Sequence, residues 1–202
     1  MTRMTRGPRL RPWSDFWERY EAGLWEPETR RWLADSLAPG DLFLDIGAWI
    51  GPVTLWALEF GAEVIAVEPD PVALEELRRV VPAEVEVWEG AVTVDGGRAH
   101  LAPRYELGDS MSRISAEGVE VKACTLPEIL GGRVPKLAKM DIEGYELELL
   151  PSVAPYLAGL GVPLQVALHD GLPDPEWFAG YSDVQMPASA RQNRRSNHVL
   201  AR

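Results

Sequence analysis

A strand–turn–helix–strand unit in the first third of the chain constrains the fold more than any other feature. The apolar run Leu42–Ile46 carries one acid, Asp45, and leads into a glycine-containing turn and a helical pattern. About twenty residues later, a second apolar run ends in Glu68 and Pro69, a spacing typical of nucleoside-binding folds. Glycines let the backbone approach a ligand, and an acid at the second strand end can accept hydrogen bonds from a ribose. The sequence therefore predicts a nucleoside-binding βαβ unit.

The glycines of the turn indicate which nucleoside is bound. A dinucleotide fold has the pattern Gly-x-Gly-x-x-Gly, and its helix N-terminus faces a pyrophosphate. Here the glycines are Gly47 and Gly51, and Asp45 precedes them at a position where a carboxylate would repel a pyrophosphate. The sulfonium and ammonium of S-adenosylmethionine suit this carboxylate better than NAD does. The alternative is an ordinary βαβ turn whose glycines only relieve steric contact.

Length, charge and cysteine content narrow the class of protein. The chain has 202 residues, of which 46% are hydrophobic, and a formal net charge of −11. These values predict one globular α/β unit whose main partner is neither nucleic acid nor an anionic membrane surface. Cys124 is the only cysteine, so an internal disulfide and a cysteine-built zinc site are excluded. No apolar run is long enough to span a membrane, and we expect a cytoplasmic location.

Apolar periodicity along the rest of the chain predicts alternating strands and helices, and hence a mainly parallel, doubly wound sheet. A helix over 13–25 with Ser14 as N-cap, and a second one beginning near Pro27, would form a tryptophan-rich cap. We divide the chain into an N-terminal arm with this helical cap, 1–38, and an S-adenosylmethionine-binding domain, 39–202. Asp95-Gly96-Gly97 predicts a hairpin, and 103–118 is predicted to be a loop. The remaining predictions are strands at 42–46, 63–67, 84–88, 119–123, 136–142, 164–168, around 184 and at 198–200, and helices at 52–60, 71–80, 126–130, from 143 onward and at 175–178.

A second group of polar residues follows two later strands. Asp141 and Glu143 come after one buried strand, and His169 ends the next. Ligands of an open α/β sheet bind beyond the carboxyl ends of its strands, so we expect these residues near Asp45 and Glu68. Several carboxylates at one edge need cations, protons or hydrogen-bond donors beside them. We predict a functional role here. The alternative is that Asp141 and Glu143 only cap the following helix, with Glu143 well placed to interact with its dipole.

His169 could act as a general base, a metal ligand or a simple hydrogen-bonding group. Together with Asp141 and Glu143 it could approximate a carboxylate-plus-histidine metal site, but the spacing across two strands is not diagnostic. We therefore regard a divalent metal as possible and do not predict one.

Taken in order, these motifs resemble those of FkbM-type methyltransferases. Members show Asp-Ile-Gly-Ala-Asn-x-Gly, then Glu-Pro, then Lys-x-Asp-x-Glu-Gly-x-Glu. This chain has Asp45-Ile46-Gly47-Ala48-Trp49-Ile50-Gly51, then Glu68-Pro69, then Lys139-Met140-Asp141-Ile142-Glu143-Gly144-Tyr145-Glu146. Trp49 is a departure, because the family usually has Asn there. The indole would either narrow the cofactor pocket or turn outward onto the N-terminal cap.

The resemblance implies a class I, Rossmann-like fold: a seven-stranded, mainly parallel sheet with an antiparallel last strand and helices on both faces. It also implies which residues bind S-adenosylmethionine. Asp141 would lie between cofactor and substrate. The others are Asp45, Gly47, Ala48, Trp49 and Gly51 around the methionine part, Glu68 and Pro69 at the ribose, and Gly90 and Ala91 at the adenine.

The activity implied is methyl transfer to a hydroxyl of a sugar or natural-product small molecule. We expect the protein to align the acceptor, with His169 or Asp141 taking the hydroxyl proton and Glu143 orienting the acceptor. Ser110 and Ser112 resemble a serine-containing loop of the family. Two rival hypotheses are an NAD-dependent oxidoreductase on a similar sheet and a non-catalytic binding module. The sequence names neither the acceptor nor the oligomeric state.

Overall fold

A seven-stranded sheet organises the computed structural model, which describes residues 13–169, 171–186 and 198–202. In chain order the elements are α1 (Ser14–Glu21), α2 (Pro27–Ser36), β1 (Leu42–Ile46), α3 (Pro52–Glu59), β2 (Glu63–Glu68), α4 (Pro71–Val80), β3 (Glu86–Glu89), β4 (Ala91–Val92), β5 (Gly97–Ala102), β6 (Arg113–Ser115), β7 (Val119–Cys124), α5 (Leu126–Leu130), β8 (Leu137–Met140), α6 (Glu146–Gly159), β9 (Leu164–Ala167), a 3-10 helix (Pro175–Phe178), β10 (Val184–Gln185) and β11 (His198–Ala201).

The strand order of this sheet is β10-β11-β9-β8-β1-β2-β3. The five strands from β9 to β3 are mutually parallel, and β11 runs antiparallel to both of its neighbours. This confirms the predicted class I architecture with an antiparallel last strand.

Alternate residues of the central strands point to opposite faces, and helices cover both. In β1, Phe43 belongs to the hydrophobic cluster packed by α1 to α4, whereas Leu44 belongs to the cluster packed by α5 and α6. Because both faces are covered, β1 and β2 are nearly continuous apolar runs, and their boundaries were therefore predictable to within a residue.

The N-terminal helices are part of the main core. Trp17 and Trp32 are buried in the cluster that also contains Trp56 of α3, so these tryptophans pack the cap onto the sheet. The prediction of Ser14 as N-cap is wrong: Trp13 occupies that position without a side-chain cap, and the Ser14 hydroxyl contacts Asp15 instead. The division at residue 38 stays a prediction, and residues 1–12 lie outside the described part.

A second, four-stranded sheet of order β4-β7-β5-β6 replaces the predicted hairpin. β4 pairs with β7 in parallel and β5 pairs with it antiparallel, so that Ala91 and Gly97 flank Ala123 from opposite sides. The turn at Asp95-Gly96-Gly97 therefore joins two strands that do not pair with each other. β6 falls inside the predicted loop, because three residues are too few to show an alternating pattern.

Helix α6 begins three residues later than predicted. Glu143 and Gly144 have φ values of +57° and +114°, which are incompatible with a helix, and α6 starts at Glu146. It then continues through Pro151 and Pro155. Strand β3 starts at Glu86 rather than at residue 84. Within the described ranges, no helix is long and apolar enough to cross a membrane, and the cytoplasmic location stays a prediction.

Candidate active site

The turn between β1 and α3 is held tightly against both neighbouring strand ends. Gly47 has φ +81°, and a Cβ added there would lie 1.8 Å from the carbonyl oxygen of Asp141. The backbone N–H groups of Gly47 and Ala48 both donate to the carbonyl of Val67, at 2.9 and 3.0 Å. Only glycine fits this position, and the turn is fixed between the ends of β2 and β8.

Trp49 turns outward, onto the N-terminal cap. Its backbone has φ +49°, and its ring packs edge-on against Phe16 with the centroids 4.7 Å apart. The indole Nε1 donates to the carbonyl of Gly108 at 2.9 Å, and the backbone N–H donates to Oε2 of Glu68 at 2.8 Å. Of the two alternatives for this residue, the structure shows packing on the cap.

Glu68 ends β2 with both carboxylate oxygens engaged. Oε2 accepts from Trp49, and Oε1 accepts from the backbone N–H of Asp70 at 2.8 Å. Burial raises the pKa of Glu68 to about 8, although these two hydrogen bonds act in the opposite direction. Pro69, between the two acids, is half-buried.

Asp70, which was not selected from the sequence, joins the end of β2 to the start of α4 and to the serine-containing loop. Its Oδ1 accepts from the first turn of α4, at Val72 and Ala73, and Oδ2 accepts from the Gly108 backbone N–H at 2.7 Å and the Ser112 hydroxyl at 2.9 Å. The family-like serine loop is thus fastened to the end of β2. Asp before Pro at a helix start is an N-cap signal that could have identified this residue.

The same loop is also held from the N-terminal cap. Trp13 donates its Nε1–H to the Gly108 carbonyl at 3.2 Å, so this oxygen accepts from two indoles. A cavity of about 370 Å³ lies between Trp13, Trp49, Val72 and the loop residues from Glu106 to Asp109.

Gly90 and Ala91 lie directly after β3, beside Glu68. The Gly90 N–H donates to the Glu68 carbonyl at 3.0 Å, and a Cβ at Gly90 would come within 2.9 Å of the Lys122 carbonyl oxygen. Ala91 is buried at the start of β4. Their contact with adenine stays a prediction.

Asp45 is completely buried within β1. Its Oδ2 accepts from the Thr54 hydroxyl at 2.7 Å, while Oδ1 has no hydrogen-bond partner among the described residues. Burial raises the pKa of Asp45 to about 6, against the charge of Lys139 on the neighbouring strand. An unpartnered buried carboxylate oxygen is the kind of group that a cationic ligand satisfies.

Asp141, Glu143 and His169, which we call the His169 cluster, meet at the carboxyl ends of β8 and β9. His169 Nε2 lies 3.2 Å from Glu143 Oε2 and 3.7 Å from Asp141 Oδ1. The three side chains offer one ligand atom each, all within 4.8 Å of one another. The structure thus brings together the three residues that the sequence selected for catalysis, and Glu143 faces His169 instead of capping α6.

Two residues of the same motif hold this cluster in place, and the sequence analysis gave neither a role. Lys139 is buried and donates from Nζ to Asp141 Oδ2 at 2.8 Å. Glu146, 1% exposed, accepts from the backbone N–H groups of Ile142 and Gly144 and contacts His169 Nδ1 at 2.9 Å. Both residues belong to the Lys139–Glu146 motif, and this membership is the sequence feature that could have identified them.

Charges within the cluster shift the pKa of its members in opposite directions. Burial opposes the charged form of His169, but the hydrogen bond with Glu146 and the charges of Asp141 and Glu143 prevail and raise its pKa to about 9. Burial likewise disfavours ionised Asp141, but the charges of Lys139 and His169 lower its pKa overall. Burial and the charge of Asp141 raise the pKa of Glu143 to about 7.

Residues 45–162 match the family model described as the methyltransferase FkbM domain. The chain belongs to the FkbM methyltransferase family. A curated relative, hexuronic acid methyltransferase AglP of Haloferax volcanii, is 24% identical over 185 residues, covering 88% of this chain and 77% of the relative. The FkbM family is one of S-adenosylmethionine-dependent methyltransferases, and the chain has its characteristic acids and glycines in the expected order.

Solved structures agree on the fold. Methyltransferase FkbM of Methylobacillus flagellatus superposes with a TM-score of 0.55 at 15% identity, covering 91% of this chain, and this chain spans 60% of its length. A TehB-like SAM-dependent methyltransferase of Corynebacterium glutamicum superposes with a TM-score of 0.51 at 14% identity, and 94% of each chain is covered.

Proposed function

We propose that this FkbM-family protein transfers a methyl group from S-adenosylmethionine to a hydroxyl of a small, sugar-like acceptor. The observation that carries the proposal is the direct contact between the two halves of the site. The turn at Gly47 packs against the backbone of Asp141, so the predicted cofactor turn adjoins the His169 cluster. The relative named as a hexuronic acid methyltransferase supports a sugar as the acceptor class.

The cofactor side has the groups that a sulfonium nucleoside needs. Asp45 keeps one buried carboxylate oxygen without a donor, and Gly47 lets the backbone approach a ligand. Glu68 would hold the ribose hydroxyls through the lone pairs that its two backbone hydrogen bonds leave free. When bound, S-adenosylmethionine supplies a methyl group that is already activated, so the protein has to bind, orient and deprotonate the acceptor.

The His169 cluster is suited to orienting and deprotonating the acceptor. We assign the hydroxyl proton to Asp141, whose backbone touches the cofactor turn, and the orientation of the acceptor to Glu143 and His169. Lys139 holds one oxygen of Asp141 at 2.8 Å and leaves the other facing the cluster. A positioned base of this kind contributes roughly 10²- to 10⁴-fold to a rate.

The two rival functions differ in ligand and in turnover. An NAD-dependent oxidoreductase would need a pyrophosphate beside Asp45, which has no compensating cation in the turn. A non-catalytic module would bind S-adenosylmethionine without transferring its methyl group to any acceptor.

Calorimetric titration of the full chain with S-adenosylmethionine, S-adenosylhomocysteine and NAD separates these functions. We expect binding of the first two with micromolar dissociation constants and none of NAD. Incubation with labelled S-adenosylmethionine and a panel of sugars and uronic acids should then give a methyl ether. Binding of NAD alone would overturn the proposal, as would cofactor binding without transfer across the panel.

Asp141→Asn tests the assignment of the proton acceptor. We expect the methylation rate to fall at least about 10²-fold, while S-adenosylhomocysteine still binds and circular dichroism is unchanged. Asp35→Asn, the same change on the exposed side of α2, should retain full activity. Full activity of Asp141→Asn would remove Asp141 from the mechanism.

A further inference from the structure

We propose that the His169 cluster binds a divalent cation through Asp141, Glu143 and His169, with Glu146 as the residue that positions the imidazole. The role of this cation rests on the proposed function, but its binding can be tested without it. The three ligand atoms lie within 4.8 Å of one another. Small side-chain rotations would bring them within the roughly 4.4 Å that one ion with bonds of about 2.0–2.2 Å can span.

The orientation of His169 is the first argument. Glu146 already accepts two backbone hydrogen bonds, from Ile142 and Gly144, so it meets the imidazole as an acceptor, and Nδ1 carries the hydrogen between them. A neutral imidazole then directs the lone pair of Nε2 toward two carboxylates, at 3.2 and 3.7 Å. Three electron-rich atoms facing one point require a positive charge there, either a proton or a metal ion.

The charge around the cluster is the second argument. Three carboxylates, those of Asp141, Glu143 and Glu146, lie beside one buried ammonium, that of Lys139. With a neutral imidazole and all three carboxylates ionised, this leaves two negative charges, which a dication neutralises and a proton does not; Lys139 also faces the buried Asp45. Metal-bound histidines typically donate their other ring N–H to a carboxylate, which is the arrangement that Glu146 makes here.

The donor set defines the class of ion. Two carboxylate oxygens and one imidazole nitrogen suit a divalent first-row cation of intermediate softness, such as Mn²⁺, with further coordination positions open. Two neighbouring oxygens of a sugar could occupy those positions. Asp141 would bind the ion through one lone pair of Oδ1 and keep the other lone pair for the proton of the acceptor hydroxyl. The ion would hold that hydroxyl in place and make its proton more acidic.

Mn²⁺ titration of the chelator-treated full chain, followed by electron paramagnetic resonance of the free ion, tests the site. We expect one site of micromolar affinity in the wild type. His169→Asn and Glu143→Gln should each weaken it at least about tenfold, and Glu146→Gln by about 10- to 100-fold through the freed imidazole. Glu148→Gln, the same charge change at an exposed position of α6, should bind Mn²⁺ as the wild type does.

Thermal unfolding and S-adenosylhomocysteine affinity of each metal-free variant show whether it is folded. Wild-type protein without a saturable Mn²⁺ site would overturn the inference and mean that a proton alone occupies the cluster. Equal affinity in the folded wild type, His169→Asn and Glu143→Gln would also overturn it. Methyl transfer that is unaffected by the chelator would remove the ion from catalysis and leave the proposed function intact. Mn²⁺ binding at the cluster without any methyl transfer would refute the proposed function alone.

Discussion

The carboxylates on the two sides of this sheet edge are stabilised in different ways. On the side where we propose that the cofactor binds, Glu68 and Asp70 accept hydrogen bonds from backbone N–H groups and a serine hydroxyl. On the side where we propose that the acceptor binds, Asp141 contacts a buried ammonium, and Glu143 contacts an imidazole.

The consequence of this difference is visible in the pKa values. Neutral donors do not compensate for burial, and the pKa of Glu68 rises to about 8. The Lys139 ammonium does compensate, and the pKa of Asp141 falls despite burial. The imidazole beside Glu143 does not, and the pKa of Glu143 rises to about 7. The carboxylates of Glu68 and Asp70 thus fix neighbouring backbone at Trp49 and Gly108, whereas the ion pair with Lys139 keeps Asp141 charged.

The largest effect is expected where the two sides touch. Gly47→Ala places a Cβ 1.8 Å from the Asp141 carbonyl oxygen at a φ of +81°. Backbone strain and overlap together should cost about 3 kcal/mol or more of unfolding free energy, and S-adenosylhomocysteine binding should be lost. Urea denaturation monitored by circular dichroism measures the first effect, and calorimetry the second.

Gly40→Ala is the matched control for this variant. Gly40 has a similar φ, +87°, but a Cβ there meets no atom within 4 Å. Only the strain term of about 1–2 kcal/mol is then expected. Equal losses in the two variants would show that the contact between the two sides is not what makes glycine necessary at position 47.

The next largest effect concerns Glu68 and pH. Its pKa is about 8 in the folded chain against an ordinary value of 4.5. Between these values the unfolded chain has released a proton that the folded chain still holds, so rising pH favours unfolding by up to about 1.4 kcal/mol per pH unit. Glu68→Gln, a neutral side chain of the same shape, lacks this dependence.

Urea denaturation of the wild type and of Glu68→Gln at several pH values between 5 and 8 provides the measurement. As the pH rises from 5 to 8, the unfolding free energy of the variant should increase by about a few kcal/mol relative to that of the wild type. Asp45, whose pKa is also raised by burial, is present in both proteins and cancels in the difference. Parallel pH curves would mean that Glu68 is ionised in the fold throughout, as Asp141 is.

The smallest effect is expected at Trp49. Trp49→Phe loses the indole hydrogen bond to Gly108 at 2.9 Å, but Trp13 still donates to the same carbonyl. The cost should be about 0.5–1.5 kcal/mol. The double variant with Trp13→Phe leaves that carbonyl with neither donor and should lose more than the sum of the two single variants. Additive losses in thermal unfolding would show that the two indoles do not share this acceptor.

How far the sequence predicts this molecule depends on how local each feature is. The turn from Asp45 to Gly51 and the strand ends at Glu68 and Asp141 follow from apolar runs and glycine positions, and both were predicted. The second sheet was not predicted, for two reasons. Strand β6 is short and polar, and the turn at Asp95-Gly96-Gly97 joins β4 and β5, which both pair with β7 and not with each other. That pairing joins residues that lie from 18 positions apart (Leu101 and Val119) to 32 positions apart (Ala91 and Ala123), separations that no local pattern encodes.

The candidate site shows the same limit. The residue types of the His169 cluster were selected from the sequence because they follow two strands at the same edge. The orientation of His169 was not predicted, because it depends on Glu146, the first residue of α6, which lies 23 positions earlier in the chain. Glu146 contacts His169 only after β8 and β9 have paired. The charge balance of the cluster likewise depends on Lys139 being buried.

The antiparallel strand β11 has a consequence for the order of assembly. Its residues 198–201 occupy an interior position of the larger sheet, with β9 on one side and β10 on the other. During synthesis, the chain up to β9 can pair its five parallel strands while the outer edge of β9 remains open. That edge is closed only when the last of these residues has left the ribosome. A chain that lacks residues 198–201 would keep the turn from Gly47 to Gly51 yet expose the unpaired edge of β9 to neighbouring chains.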